Sequence, residues 1–121
     1  MKWYAHIAST LALALVLTPY SVAYAAAASI LPDVVEKLLG LPHRSIYMHN
    51  YALPLLLSPM FFYPSLAGIP LGVLDHIVLD NLTVHGVYLF ERRIRGFMNT
   101  NNPLHNMIAV AASILLAYML S

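Results

Sequence analysis

Apolar residues in this chain come in long runs, without the polar positions every second or third residue that would mark one solvated helix face, and short polar clusters separate the runs. The pattern predicts helices that are apolar all round. The first run, Trp3 to Leu31, would be roughly 43 Å long as one continuous helix, against a hydrocarbon core of about 30 Å. Thr18-Pro19-Tyr20-Ser21 interrupts it, because proline lacks an N–H and clashes with the preceding turn, and Thr18 is placed to cap a new helix beginning at Pro19. The expectation is a hairpin of helices 3–17 and 19–31. Pro32 to Arg44 is polar and reads as a loop or a short surface helix. Further helices are expected at about 45–63, kinked at Pro54 and Pro59, at 71–90, and from 104 to the C-terminus, with an uncharged turn at Pro64 to Pro70 and a basic segment at Glu91 to Pro103.

Composition strengthens the membrane reading, since 60% of the residues are hydrophobic and 9% charged, where a soluble domain carries about 25%. There is too little charge to clothe a soluble surface. The expected fold is all-α, a polytopic membrane protein of four to five short transmembrane or re-entrant helices forming a single domain over residues 1–121. Its first partner is the lipid bilayer. Six basic residues at a net charge of +1 form no stripe for nucleic-acid phosphates, and the absence of cysteine leaves only nitrogen and oxygen ligands for any metal. The hairpin puts Lys2, Lys37, Arg44, Arg92, Arg93 and Arg95 on one side, which the positive-inside rule makes the cytoplasm. The expected location is thus the inner cell membrane, with the N-terminus and the basic loops cytoplasmic. Met1-Lys2, the apolar run and Ala23-Tyr24-Ala25 also have the form of a cleavable signal peptide, whose removal would take His6 with it.

Against that background a few polar residues carry chemistry. In Gly72-Val73-Leu74-Asp75-His76-Ile77-Val78-Leu79-Asp80-Asn81-Leu82-Thr83, His76 and Asp80 lie four apart, one turn above each other on a helical face that Thr83 continues. Asp75 is rotated from them by about 100°. A carboxylate at mid-bilayer costs about 2.5–3.5 kcal/mol on insertion scales, so these need a metal or an ion-pair partner. A purely structural network, in which the carboxylates accept bonds from His85 or Arg44, is the competing reading. Asn81-Leu82-Thr83 is a glycosylation sequon inside an apolar helix and carries no weight there. His43-Arg44, with His49 further on, gathers two imidazoles and a guanidinium at a membrane interface, where such residues also serve as anchors. Asp33 follows Leu31-Pro32, and only the hairpin would bring His6 near it.

Taken in order, these segments resemble the YdjM-type inner-membrane proteins, described as membrane-bound metal-dependent hydrolases; small crenarchaeal membrane proteins of similar length look alike too. The family pattern is an N-terminal His, a Leu-Pro-Asp-x-Asp turn, His-Arg-Gly-x-Thr-His-Ser, and Gly-x-x-x-His-x-x-x-Asp-x-x-Thr-x-x-Gly. Here it meets His6, Leu31-Pro32-Asp33, His43-Arg44 with His49, and Gly72, His76, Asp80, Thr83 and Gly86. Two departures stand out: Val35 replaces the second aspartate of the turn, leaving Glu36 beside it as a differently directed substitute, and the spacing from His-Arg to the next His is one residue longer.

The resemblance implies a metal site of His6, Asp33, His49, His76 and Asp80, with Arg44, His43 and Thr83 as catalytic residues. Two or three imidazoles with one or two carboxylates suit Zn²⁺ first among divalent metals. The activity expected is hydrolysis of a lipid or other phosphoester at the cytoplasmic interface, with Arg44 clamping a phosphate through its planar fork. The reading from a different class is a non-enzymatic membrane protein whose His/Asp cluster is a structural or ion-handling network.

Overall fold

A computed structural model describes all residues, 1–121, and the chain is mostly helical. Helix α1 spans Trp3–Leu17, α2 Val22–Ala28, α3 Leu31–Leu39, α4 Ala52–Leu57, α5 Gly68–Asn81 and α6 Pro103–Leu120. Short 3₁₀ helices at Pro19–Ser21 and Ser58–Phe62 join α1 to α2 and extend α4. A two-stranded antiparallel hairpin, β1 Val87–Leu89 and β2 Arg92–Ile94, lies between α5 and α6.

The chain does turn at Pro19, as the proline requires, but the second arm is shorter than expected. It starts in 3₁₀ geometry, ends at Ala28, and α3 begins at Leu31. Thr18 is not a side-chain cap; its hydroxyl is buried without a partner. The polar segment after it forms a short helix, opened by Pro32 in its first turn and closed by Gly40 at φ +67°, a left-handed position natural to glycine. Two expected helices are also corrected. Residues 45–51 are not helical, so the third expected helix starts only at Ala52. The fourth stops at Asn81, and Val87–Leu89 is a strand.

Helix α5 is the centre of the molecule, packed by α1, α2 and α4, while α6 lies along α1. Small residues permit this. A Cβ added at Gly72 would collide with the Ala25 carbonyl oxygen and sit 2.9 Å from the Ala28 Cβ, so only glycine lets α2 come this close. The apolar core is accordingly built of small pieces, Ala5 with Leu79, Ala25 with Leu71, and Ala28 with Val73 and Ile77.

The outer surface is strongly apolar, with Trp3, Leu15, Tyr20, Leu56, Phe62, Met107 and Leu115 among many exposed large side chains. Only α6 is both long and apolar enough to cross a membrane. Of its 18 residues 17% are buried, whereas the core helix of a soluble protein would be mostly buried.

Candidate metal centre

Four ligand atoms converge beside α5. His76 Nε2 is 3.2 Å from Asp80 Oδ2, as their i, i+4 spacing allows, and His49 Nε2 lies 3.1 Å from the same oxygen. The two Nε2 atoms are 3.0 Å apart. Asp33 Oδ1 stands 3.2 Å from His49 Nε2 and 3.7 Å from His76 Nε2, and makes no hydrogen bond. Donor atoms about 2.0–2.1 Å from a tetrahedral zinc lie about 3.3–3.4 Å from one another. The spacings found bracket that value.

The hydrogen bonds behind the histidines explain why those nitrogens face inward. His76 Nδ1–H donates to the Ser29 carbonyl at 2.5 Å, and His49 Nδ1–H donates to Glu36 Oε2 at 2.8 Å. Both outer partners are acceptors, so each neutral ring carries its lone pair on Nε2. Two lone pairs 3.0 Å apart repel unless a cation, either a proton or a metal ion, sits with them. This donor set fits a divalent ion: two neutral imidazoles and two carboxylates, three of the four residues fully or almost fully buried, with Asp33 half-exposed.

Without an ion, a proton takes that place. Burial opposes a charge on His49, but the carboxylates of Asp33, Asp80 and Glu36 outweigh it and push the ring up to about 9. Burial likewise pushes the Asp33 carboxyl up, and the neighbouring His49 and His76 rings more than reverse this, holding it below its ordinary value.

Glu36, which the sequence offers only as a differently directed substitute for the second aspartate of the turn, has a role that sequence reasoning misses, the orientation of His49. It is 2% exposed and accepts from the backbone N–H groups of Arg44 at 3.1 Å and Ser45 at 2.7 Å, from the Ser45 hydroxyl at 2.6 Å, and from His49. Arg44 is left-handed, φ +59°, which turns two successive N–H groups onto this carboxylate at a backbone cost of about 1–3 kcal/mol. Because α3 is helical, Asp33 and Glu36, three apart, share a face, whereas Val35 lies about 200° round the helix from Asp33. The carboxylate pair of this turn is therefore Asp33 with Glu36. The i, i+3 spacing is the available signal, and it needs the helix to be recognised first.

The β hairpin holds His49 from the other side. Tyr88 N–H donates to the His49 carbonyl at 2.8 Å, Tyr51 N–H to the Tyr88 carbonyl at 3.0 Å, and the Asn50 side chain bonds both backbone groups of Phe90.

The remaining expected site residues are nearby in other roles. His6 is fully buried and stacks on His76, ring centroids 3.9 Å apart, but it faces the other oxygen of Asp80, 3.2 Å away and misaligned. Neither of its ring nitrogens has a hydrogen-bond partner, and it stands outside the four-atom set. Arg44 spends Nη1 on the carbonyls of Asp80 and Gly86 and on Thr83 Oγ1, and Nη2 is 3.2 Å from Asp80 Oδ1; only Nε is unpartnered. The Met1 ammonium is 2.6 Å from the same Asp80 oxygen. Thr83 lies past the end of α5 and donates to the Asp80 carbonyl at 2.6 Å. His43 is exposed, 3.9 Å from Glu36. His85 is exposed and pairs with neither aspartate. Asp75 points away, accepting from Ser9 at 3.0 Å and Thr10 at 2.7 Å, with Ser113 2.6 Å from Ser9.

A polar cavity of about 170 Å³ is lined by Asp33 and Asp80 together with Met1, His43, Arg44, His85, Thr100 and Asn101. A larger apolar groove of about 300 Å³, between α5 and α6 on the Asp75 side, touches none of the four ligand residues. No protein family, curated protein or solved structure matches the chain.

Proposed function

We propose that this protein is a membrane-embedded, metal-dependent hydrolase, with zinc held by Asp33, His49, His76 and Asp80, acting on a lipid or other phosphoester at the membrane interface. The observation that carries the reading is the pair of Nε2 atoms 3.0 Å apart, each fixed as an acceptor by the bond behind it, with two carboxylate oxygens alongside. In a purely structural network a proton would sit there instead, one ring donating its Nε2–H to the other, so metal content separates the two readings. The likeness to the YdjM-type pattern supports the same reading.

A divalent ion in such a site supplies Lewis acidity and brings the pKa of water towards 7. The chain's own residues do the rest. Asp33, the half-exposed member, faces the side from which water and substrate arrive. Arg44 fixes the Asp80 carboxylate and its backbone, and Glu36 fixes the His49 tautomer. His43, exposed at the mouth, is placed to protonate a leaving group.

The multi-pass membrane placement belongs to the same proposal. It is supported by the exposed apolar surface and by α6, with α1 and the α4 segment as shorter apolar helices that would dip into or cross a thinned bilayer. In that arrangement Lys2 and the Arg92 to Arg95 segment face the cytoplasm.

The non-enzymatic reading keeps one observation in its favour, the engagement of Arg44 with Asp80. The two part in a single assay: zinc-dependent release of phosphate or alcohol from a phosphoester panel by detergent-purified protein, abolished in Asp80→Asn. Hydrolysis that survives Asp80→Asn unchanged, or absence of any metal-dependent hydrolysis across the panel, counts against the enzyme.

A further inference from the structure

The small polar cavity has a composition that the metal centre alone does not explain. It is about 170 Å³, lined by eight residues of which only Met1 is hydrophobic. Its two carboxylates, Asp33 and Asp80, are the metal ligands proposed above. Every other polar side chain in its wall can donate a hydrogen bond, Arg44, His43, His85 and Asn101 among them. Among the charged side chains of the wall, a divalent ion cancels the two carboxylates, and Arg44 leaves a positive balance even with both histidines neutral. Arg44 is 7% exposed, and its Nε is a buried donor without a partner. A donor-lined, net positive cavity beside a metal takes an anion. Its size admits a phosphoryl group with a few waters and falls well below the roughly 300–1,000 Å³ of pockets that enclose whole drug-sized ligands.

We infer that this cavity is a binding site for a phosphomonoester head, with His43 and His85 as its recognition residues and the rest of the substrate left outside. The inference rests on the metal-centre reading, because the ion is what engages the Asp33 and Asp80 carboxylates of the wall and leaves its donors to an anion. The His85 ring is exposed and free for this role, since only its carbonyl is used, by Arg93.

The test is calorimetric titration of the zinc-loaded, detergent-purified full chain with inorganic phosphate, with zinc content measured by elemental analysis on the same samples. Phosphate should bind the wild type, and His43→Ala and His85→Ala should each weaken it about tenfold or more, as for loss of a hydrogen bond to a charged partner, with zinc content unchanged. Both rings are exposed, so the variants should fold, which circular dichroism checks. Competition by phosphatidic acid in nanodiscs assigns the head to a lipid; binding of phosphate that phosphatidic acid leaves undisturbed assigns it to a soluble phosphomonoester. Zinc retained but phosphate unbound, or bound equally by the double variant, overturns the inference and leaves the centre standing. A wild-type protein that takes up no zinc overturns the centre itself, and the cavity's role with it.

Discussion

Glu36→Gln is a change of one atom that should cost the protein its metal affinity. Four donors converge on the Glu36 carboxylate, the N–H groups of Arg44 and Ser45, the Ser45 hydroxyl and His49 Nδ1, and no acceptor faces it. Glutamine has one acceptor oxygen and one NH₂. If the oxygen takes the place of Oε2, the NH₂ meets the Arg44 N–H; if it is flipped, the NH₂ meets the other three donors, His49 included. Either way the charge that fixes the His49 tautomer is gone. Loss of such an orienting partner typically costs 10–100-fold in metal affinity, which is about 1.4–2.7 kcal/mol. Competition against a chelating dye measures this directly, with thermal unfolding of the metal-free protein in detergent alongside. The metal-free variant should lose stability too, because a bond to a charged group is worth about 1.5–3 kcal/mol and a neutral one about half that. Zinc affinity equal to wild type in a folded Glu36→Gln protein would refute the assignment of His49 as a ligand oriented by Glu36.

Val35→Asp, which the Leu-Pro-Asp-x-Asp pattern would make a restored ligand, should leave metal content and metal preference unchanged, since position 35 faces away from Asp33; a shift from zinc towards Mn²⁺ or Mg²⁺ on elemental analysis would contradict the helical turn. Asp75→Asn should likewise keep its zinc, because Asp75 bonds Ser9 and Thr10 and not the centre; substantial zinc loss there would place Asp75 in the site. Stability should depend on pH differently with and without metal. His49 is raised from 6.5 to about 9 in the metal-free protein, so its contribution is fully present below about 6.5 and lost as pH rises through about 9, while lowered Asp33 contributes above its ordinary 3.8 and is lost as pH falls through its folded value. The lowered Met1 ammonium acts with the opposite sign up to its ordinary 8.0, so melting temperatures should fall between about pH 8 and 9 without zinc and stay level there with zinc bound, the ion having replaced the proton; parallel profiles would contradict that exchange.

Much of the centre is legible in the amino-acid order alone. His76 and Asp80 need only the helical repeat, and Pro19 announces the turn that brings α1 back along α5. What the sequence conceals follows from two ambiguities. An apolar run does not distinguish a buried helix from a strand, so Val84 to Phe90 extends the α5 pattern although Gly86, at φ +66°, and the Val87-Tyr88 pair are turn and strand signals. The second is the polar segment after Pro32. Taken as a loop, it makes Val35 look like a vacated ligand position; as α3, it makes Glu36 the partner of Asp33. His6 illustrates a limit of a different kind, because the hairpin returns α1 to the site's side, but the stacking of His6 on His76, outside the ligand set, depends on how α1 rotates against α5.

The most direct measurement is the metal content of protein purified in detergent without chelators, compared with His76→Ala and Asp80→Ala. Wild-type protein should carry a single zinc ion per chain, and each variant should lose about tenfold or more of it, since removing a ligand should cost no less than removing the group that orients one. A wild-type protein free of metal, or variants that retain the same zinc as wild type, would contradict a metal centre at Asp33, His49, His76 and Asp80.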